Sequence, residues 1–232
     1  MRTETQILDL ILGFARRDER IRVAAMNGSR VNPNIPRDLF QDYDVVYYVD
    51  DLAPFIHDVS LIEYFGEPMI VQFPDEMDDP PPVPGKHYAY LMQFTDGVRI
   101  DLGFQLLDDL EDSLMSDTLT VVLLDKDGRV GELPPPGDHG YFPAPPTEKQ
   151  FDDCCNEFWW LNPYVAKGLW RGELIGPKYY LDVLMRGQML KMLNWTYGLQ
   201  TGFKQSPGKL GRFYPEVFGE RFWQELQQTY SG

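Results

Sequence analysis

Two aspartates, Asp42 and Asp44, stand at the start of a segment, residues 43–49, that is rich in strand-forming side chains. Residues two apart in a β-strand point to the same face, so both carboxylates would lie side by side if the strand begins at or just before Asp42. Two like charges in that position repel each other, and a divalent cation removes the repulsion. Such a pair is the usual protein contribution to a Mg²⁺ site that also binds substrate phosphates. The pair alone is equally compatible with a solvated strand start.

A glycine and a serine, Gly28 and Ser29, follow a predicted short buried strand at residues 21–26. A glycine allows another group to approach the backbone closely, and the serine with the amides after it can hold phosphate oxygens. These two residues therefore favour a phosphate-binding turn ahead of the aspartate pair.

A third carboxylate, Asp101, lies inside a predicted strand at residues 98–106. Apolar and polar residues alternate along this strand, which puts Asp101 on the polar face. Aspartate is disfavoured within strands, and a local rule broken without evident compensation is expected at a functional site. The alternative is a charge on the exposed face of an edge hairpin. The glycine–serine turn and the aspartate pair together favour the functional interpretation.

The elements that must position these residues form a mixed sheet. Helical periodicity predicts an amphipathic helix at residues 3–17, and turn residues close a further strand at 118–124. The dipeptide Asp96-Gly97 predicts a hairpin between strands at 88–95 and 98–106. We therefore expect a domain of strands and helices over residues 1–130.

The remaining third of the chain is predicted to be helical. A proline-rich linker at residues 131–146 precedes a capping-box pattern at 147–150, which starts a helix. Asn162 and Pro163 are interpreted as the cap and first turn of another helix, and Pro177 as the opening of a third that reaches about residue 197. The predicted fold class is thus α+β, with a C-terminal helical bundle over residues 147–232.

Composition excludes several classes of function. The net charge of −15 would repel a phosphate backbone, so a nucleic-acid partner is not expected, whereas a cationic small molecule would be favoured. Two adjacent cysteines, Cys154 and Cys155, provide neither a disulfide framework nor a zinc site. No signal peptide and no apolar run of about 18–20 residues occur, so we expect a cytoplasmic protein without a membrane partner. No feature specifies an oligomeric state.

The order of Gly-Ser, Asp-x-Asp and a third strand carboxylate resembles the nucleotidyltransferase superfamily, whose N-terminal domain is polymerase-beta-like. Four further segments resemble the aminoglycoside 6-adenylyltransferases that inactivate streptomycin: residues 37–44 (RDLFQDYD), 152–159 (DDCCNEFW), 164–169 (YVAKGL) and 201–204 (TGFK). Members of that family usually continue for several dozen residues beyond the position of Gly232. The helical domain is therefore expected to be truncated relative to the family.

The resemblance implies a reaction and a set of roles. The 6-hydroxyl of streptomycin would attack the α-phosphorus of ATP, giving adenylyl-streptomycin and pyrophosphate and conferring antibiotic resistance. Asp42 and Asp44 would hold Mg²⁺, and Asp101 would complete the metal site and act as the base. The residues expected to bind the nucleotide are Gly28, Ser29, Arg30, Lys167, Lys191, Lys204 and Lys209.

The acceptor site needs carboxylates and flat apolar walls, because streptomycin carries two guanidinium groups. Glu157, Tyr164 and Asp182 are the candidates, whereas the tryptophans of this region are expected mostly in the core. Two alternatives stay open: a related enzyme acting on another hydroxylated acceptor, such as a different aminoglycoside or a lincosamide, and a nucleotide-binding protein that has lost catalysis.

Overall fold

The computed structural model describes residues 2–79, 81 and 85–230. The chain divides into two compact units, Met1–Gly137 and Asp138–Gly232, and the division falls within the segment predicted as a linker. Across the described part of the chain, no helix is both long enough and apolar enough to span a bilayer.

The first unit is a six-stranded sheet with helices. Its strands have the spatial order β3-β4-β5-β2-β1-β6; β2 and β5 are parallel, and every other neighbouring pair is antiparallel. The elements in chain order are α1 (Glu4–Arg17), β1 (Ile21–Asn27), β2 (Tyr43–Val49), α2 (Val59–Phe65), β3 (Pro68–Gln72), β4 (His87–Phe94), β5 (Arg99–Leu106), α3 (Leu110–Ser116) and β6 (Thr120–Asp125).

Side-chain alternation gives the sheet two different faces. Along β5, Ile100, Leu102 and Phe104 are fully buried in the main core, together with residues of α1. The hydroxyl of Tyr47 in β2 donates to the Ile11 carbonyl of α1 at 2.6 Å, which fixes this helix against the sheet. The opposite face holds a smaller cluster that includes Tyr48 and residues of α3.

The predicted strands and the Asp96-Gly97 hairpin are confirmed, and so is the first helix, which Thr3 caps in a capping box. Helices α2 and α3 and strand β3 were not predicted. Strand β3 is an edge strand that begins at Pro68 and is mostly exposed, so it lacks the apolar alternation that marks a half-buried strand.

The second unit is helical, as predicted. Its helices are α4 (Glu148–Trp170), α5 (Ile175–Tyr179), α6 (Arg186–Thr201), α7 (Tyr214–Phe218) and α8 (Glu220–Gln228), and a π-helical segment (Tyr180–Met185) joins α5 to α6. Thr147 caps α4 through the predicted capping box. The helical path from Ile175 to Thr201 includes the helix predicted to open near Pro177.

The predicted helix start at Asn162 and Pro163 is wrong, because Pro163 lies inside α4. A proline has no N–H to give to the carbonyl four residues earlier, here that of Trp159. The side-chain amide of Asn162 donates to the carbonyls of Phe158 (2.9 Å) and Trp159 (3.4 Å). This local hydrogen bonding offsets the missing donor, so the helix continues.

The expectation that the tryptophans lie mostly in the core is also wrong for α4. Trp159, Trp160 and Trp170 are 69%, 62% and 88% exposed. The core of this unit is built instead from Tyr197 and Tyr214, with other apolar residues of α6, α7 and α8.

Candidate active site

Three carboxylates lie at one end of the sheet because of strand register. Asp44 and Asp101 are direct neighbours on the parallel strands β2 and β5, and Asn27 at the end of β1 is opposite Asp44. Asp42 lies just before β2, so it is not part of the strand itself. Register therefore places Asp44 and Asp101 on the same face of the sheet.

Gly28 is required by its backbone conformation and by its neighbour. Its φ is +77°, and a Cβ at this position would lie 2.2 Å from Asp44 Oδ2. Its N–H donates to the carbonyl of Leu119 at 3.0 Å, which ties the turn to the segment before β6. The group that closely approaches the backbone of Gly28 is thus the carboxylate of Asp44. The short 3₁₀ helix Gly28–Val31 contains Ser29, whose carbonyl accepts from Gln41 Nε2 at 3.2 Å.

Arg30 is buried and holds the segment that carries Asp42. Its guanidinium donates to the carbonyls of Gln41 (2.5 Å) and Asp42 (3.2 Å), and it lies 3.7 Å from the centroid of the Tyr43 ring. These contacts fix the backbone at the start of β2. The predicted role of Arg30 in nucleotide binding stays a prediction.

Arg99 is a site residue that the sequence analysis did not single out. Its Nε and Nη2 donate to the two oxygens of Asp101, both at 2.8 Å, and Nε lies 3.7 Å from Asp42 Oδ2. Hydrogen bonding to Asp101 raises the pKa of Arg99. Its position two residues before Asp101 on the same strand face was the available signal. One cation thus partners two of the three carboxylates.

Asp44 is electrostatically unfavourable in this arrangement. Burial, followed by the negative charges of Asp101 and Asp42, raises the pKa of Asp44 to about 6. Beside it, the side-chain oxygen Oδ1 of Asn27 is buried and has no hydrogen-bond partner within the described residues. Buried polar groups without partners are uncommon in folded proteins, so this end of the sheet is a candidate binding site.

The residues predicted in the second unit fall into separate groups. Glu157 and Lys191 line one cavity between α4 and α6. The Nζ of Lys167 lies 4.7 Å from the centroid of the Tyr164 ring, one turn away on α4. Asp182, in the π-helical segment, is ion-paired with Lys178 (3.1 Å) and lies 3.7 Å from Arg186. Lys204 and Lys209 lie between α6 and α7.

All of residues 1–232 match the sequence model of a protein family described as streptomycin adenylyltransferase. This chain belongs to that family. Membership makes it a nucleotidyltransferase and confirms the family resemblance of the sequence.

Curated relatives of this chain are similar along nearly its whole length. Aminoglycoside 6-adenylyltransferase of Campylobacter jejuni is 41% identical over 231 residues, covering 100% of this chain and 80% of the relative. The enzymes of the same name from Bacillus subtilis strain 168 and Staphylococcus aureus are 40% and 38% identical, and this chain spans 82% of each. The crystal structure of an aminoglycoside 6-adenyltransferase from Bacillus subtilis is 34% identical, with a TM-score of 0.48, covering 98% of this chain and 80% of that one.

Nucleotidyltransferases generally use a divalent metal ion, and the donor chemistry at the sheet end of this family member fits one. Carboxylates are hard oxygen ligands. Burial, followed by the negative charges of Asp101 and Asp42, raises the pKa of Asp44, and a bound cation would neutralise those charges. Within residues 2–79, 81 and 85–230, no three His, Cys, Asp or Glu side chains are grouped closely enough to hold a metal ion. Arg99 takes the hydrogen bonds of Asp101, so metal binding by all three carboxylates requires this ion pair to open.

Proposed function

We propose that this chain transfers AMP from ATP to the 6-hydroxyl of streptomycin, releases pyrophosphate and thereby confers resistance to the antibiotic. The observation that carries the proposal is the register of Asp44 and Asp101 on parallel strands, with Gly28 directly against Asp44. Family membership and the relatives' names support an aminoglycoside acceptor. Because ATP is a cytoplasmic nucleotide, we propose that the reaction takes place in the cytoplasm.

The chemical step forms one bond and breaks another. The acceptor oxygen bonds to the α-phosphorus of ATP, and the bond from that phosphorus to the oxygen bridging to the β-phosphate breaks. Pyrophosphate leaves with the electron pair of the broken bond. In the proposal Asp101 accepts the proton of the attacking hydroxyl as general base. This role requires its carboxylate to be free of the bidentate bond from Arg99.

The three aspartates are also proposed to be metal ligands. Asp42 and Asp44, with Asp101, would hold Mg²⁺, which when bound neutralises charge on the transferring phosphoryl group. At the turn that Gly28 forms, the hydroxyl of Ser29 and the amides that follow Gly28 are proposed to bind phosphate oxygens, with Arg30, Lys167, Lys191, Lys204 and Lys209 as further nucleotide contacts. Positioning and charge stabilisation supply most of the rate in such transfers.

The acceptor is proposed to bind through Glu157, Tyr164 and Asp182. A carboxylate receives the parallel N–H groups of a guanidinium with good geometry, and an aromatic ring offers a flat face to the same group. The excess of acidic over basic residues supports a cationic acceptor.

Product analysis tests the proposal. The protein is incubated with ATP, Mg²⁺ and a panel of aminoglycosides and lincosamides, and the products are identified by mass and by NMR assignment of the modified oxygen. The expected result is one adenylyl group on the 6-hydroxyl of streptomycin, with pyrophosphate formed in equal amount. Modification of another acceptor or hydroxyl would contradict the proposed substrate, and nucleotide binding without any product would contradict the proposed activity.

A further inference from the structure

The guanidinium of Arg99 lies among the carboxylates at the end of the sheet. Its Nε and Nη2 donate to the two oxygens of Asp101 at 2.8 Å, and Nε is 3.7 Å from Asp42 Oδ2. Asp101 in turn is the direct neighbour of Asp44 on β2. Arg99 therefore supplies positive charge to the same side chains that are expected to bind a divalent cation.

The contacts of Arg99 leave its side chain able to move. Its backbone is held in β5, but the side chain is 42% exposed and is hydrogen-bonded to a side chain two residues along the same strand. Arg30 provides a contrast, because it is buried and donates to backbone carbonyls. Solvent screens a partly exposed ion pair, so opening the pair of Arg99 and Asp101 costs less than opening a buried one.

A divalent cation and Arg99 repel each other when both are bound to Asp101. A cation held by Asp101 and Asp44 therefore favours release of the guanidinium. The planar fork of a guanidinium matches phosphate oxygens as well as it matches a carboxylate. In the proposed reaction the phosphates of the nucleotide lie beside the same aspartates. A released Arg99 thus has a second partner of matching geometry and charge.

We propose that Arg99 is a counter-ion switch, an inference that rests on the metal and the nucleotide of the proposed function. In the absence of a divalent cation, Arg99 neutralises Asp101 and Asp42. When the cation and ATP bind, its guanidinium leaves Asp101 and pairs with phosphate oxygens, which also frees Asp101 to accept the hydroxyl proton. Arg99 therefore opposes binding of the cation alone and favours binding of the cation together with ATP.

Binding of Mn²⁺ to the full chain, without nucleotide or acceptor, tests the first half of the switch. The electron paramagnetic resonance signal of free Mn²⁺ measures the affinity. Arg99→Gln removes both the competing charge and the fork, and we expect Mn²⁺ to bind at least about tenfold more tightly. Arg99→Lys keeps the charge without the fork and should give an intermediate affinity.

Arg129→Gln is the matched control. Arg129 is 49% exposed and, like Arg99, is ion-paired with an aspartate two residues away, here Asp127 at 2.9 Å. It lies beyond Asp125, at the end of β6 that is remote from the carboxylates. The control should bind Mn²⁺ and ATP as the wild type does.

Calorimetric titration with ATP at saturating Mn²⁺, again without acceptor, tests the second half of the switch. Arg99→Gln should weaken ATP binding about ten- to a hundred-fold, because charge-assisted hydrogen bonds to phosphate are lost. Arg99→Lys should restore part of the affinity. The two affinities thus change in opposite directions in Arg99→Gln, which a general disturbance of the sheet end would not produce. Thermal melts in EDTA establish that each variant is folded.

Four outcomes would overturn the inference. They are no Mn²⁺ binding by the wild type and Arg99→Gln alike, no gain in Mn²⁺ affinity in Arg99→Gln, undiminished ATP affinity in Arg99→Gln, or the same changes in Arg129→Gln. Weaker binding of both ligands by Arg99→Gln would assign Arg99 a structural role instead.

Product formation by the wild type is scored separately, so the two proposals fail independently. Opposed changes in Mn²⁺ and ATP affinity without any adenylyl-streptomycin would contradict the proposed function and support the switch. Formation of adenylyl-streptomycin without the opposed changes would support the proposed function and contradict the switch.

Discussion

Asp44 carries a charge that the folded chain makes unfavourable. Its pKa is raised from 3.8 to about 6, first by burial and then by repulsion from Asp101 and Asp42. The folded state therefore binds more protons than the unfolded state between those two values, so the free energy of unfolding falls as pH rises through this window. Each pKa unit corresponds to about 1.4 kcal/mol, so ionised Asp44 destabilises the cation-free fold by roughly 3 kcal/mol.

Asp44→Asn should remove this dependence. In EDTA, the variant should match the wild type in unfolding free energy near pH 4 and exceed it by up to roughly 3 kcal/mol at pH 7. Urea unfolding at several pH values measures the difference. Added Mg²⁺ should stabilise the wild type more than the variant at pH 7. A difference that does not vary with pH would show that the charge of Asp44 is compensated in the folded state.

Gly28 can be tested against a glycine of similar backbone conformation. Gly28→Ala should lose about 1–2 kcal/mol from its positive φ and about 1–3 kcal/mol more from displacing the Asp44 carboxylate. Gly128→Ala, at φ +65° with no atom within 4 Å of the added Cβ, should lose only the first contribution. Urea unfolding of both variants gives the comparison. Equal losses would mean that the approach of Asp44 to Gly28 is not a tight contact in solution.

At the scale of elements, the sequence predicted those whose signals are local. The alternating residues of β5, the Asp96-Gly97 turn and the capping box at Thr147 each specify a structure within a few residues. Pro163 failed as a helix start because its outcome depends on whether a neighbouring side chain replaces the lost donor. Strand β3 depends on pairing with β4 far along the chain, so local pattern alone does not indicate it.

The role of Asn162 inside α4 can be measured with a double-mutant cycle. Asn162→Ala should lower the free energy of unfolding by about 1 kcal/mol, because two carbonyls lose a donor. In a Pro163→Ala background the backbone N–H is restored, so the same substitution should cost less. The four proteins are compared by urea unfolding. An identical cost in both backgrounds would contradict the compensation between Asn162 and Pro163.

At the scale of the whole molecule, residue types and their order indicated the three carboxylates. The parallel register of β2 and β5 then brings Asp44 and Asp101 together at one end of the sheet. The spacing of Arg99 and Asp101 placed both side chains on one strand face, but only the structure shows the bidentate hydrogen bonds between them. Residue types and their order did not predict which tryptophans are exposed, since helical spacing alone does not say which face packs. The excess of acidic over basic residues is evident from the composition, and net charge affects ligand association more than it affects the fold.

The net charge of −15 makes a prediction about salt. Streptomycin affinity should fall steeply as ionic strength rises, because attraction between an acidic protein and a polycation is screened within about 8 Å at physiological ionic strength. ATP binding in the presence of Mg²⁺ should respond less, since it depends on short-range contacts. Titrations at low and high salt compare the two ligands. A streptomycin affinity independent of salt would contradict an electrostatic contribution from the acidic surface.

The carboxylate at Asp101 is the most direct test of the proposed chemistry. Asp101→Asn keeps the side-chain size but neither accepts the hydroxyl proton nor contributes negative charge to a metal site. Loss of a positioned base typically slows transfer about 100- to 10,000-fold, and loss of a metal ligand would slow it further. Asp108→Asn, an exposed aspartate in the turn after β5, serves as the control.

The decisive measurement is the single-turnover rate of adenylyl-streptomycin formation by the wild type and both variants, with ATP affinity determined for each. We predict that Asp101→Asn loses at least about 100-fold in rate while it still binds ATP, and that Asp108→Asn transfers at the wild-type rate. Near-normal transfer by Asp101→Asn would contradict the account, because the base would then have to lie elsewhere than at the sheet end formed by β2 and β5.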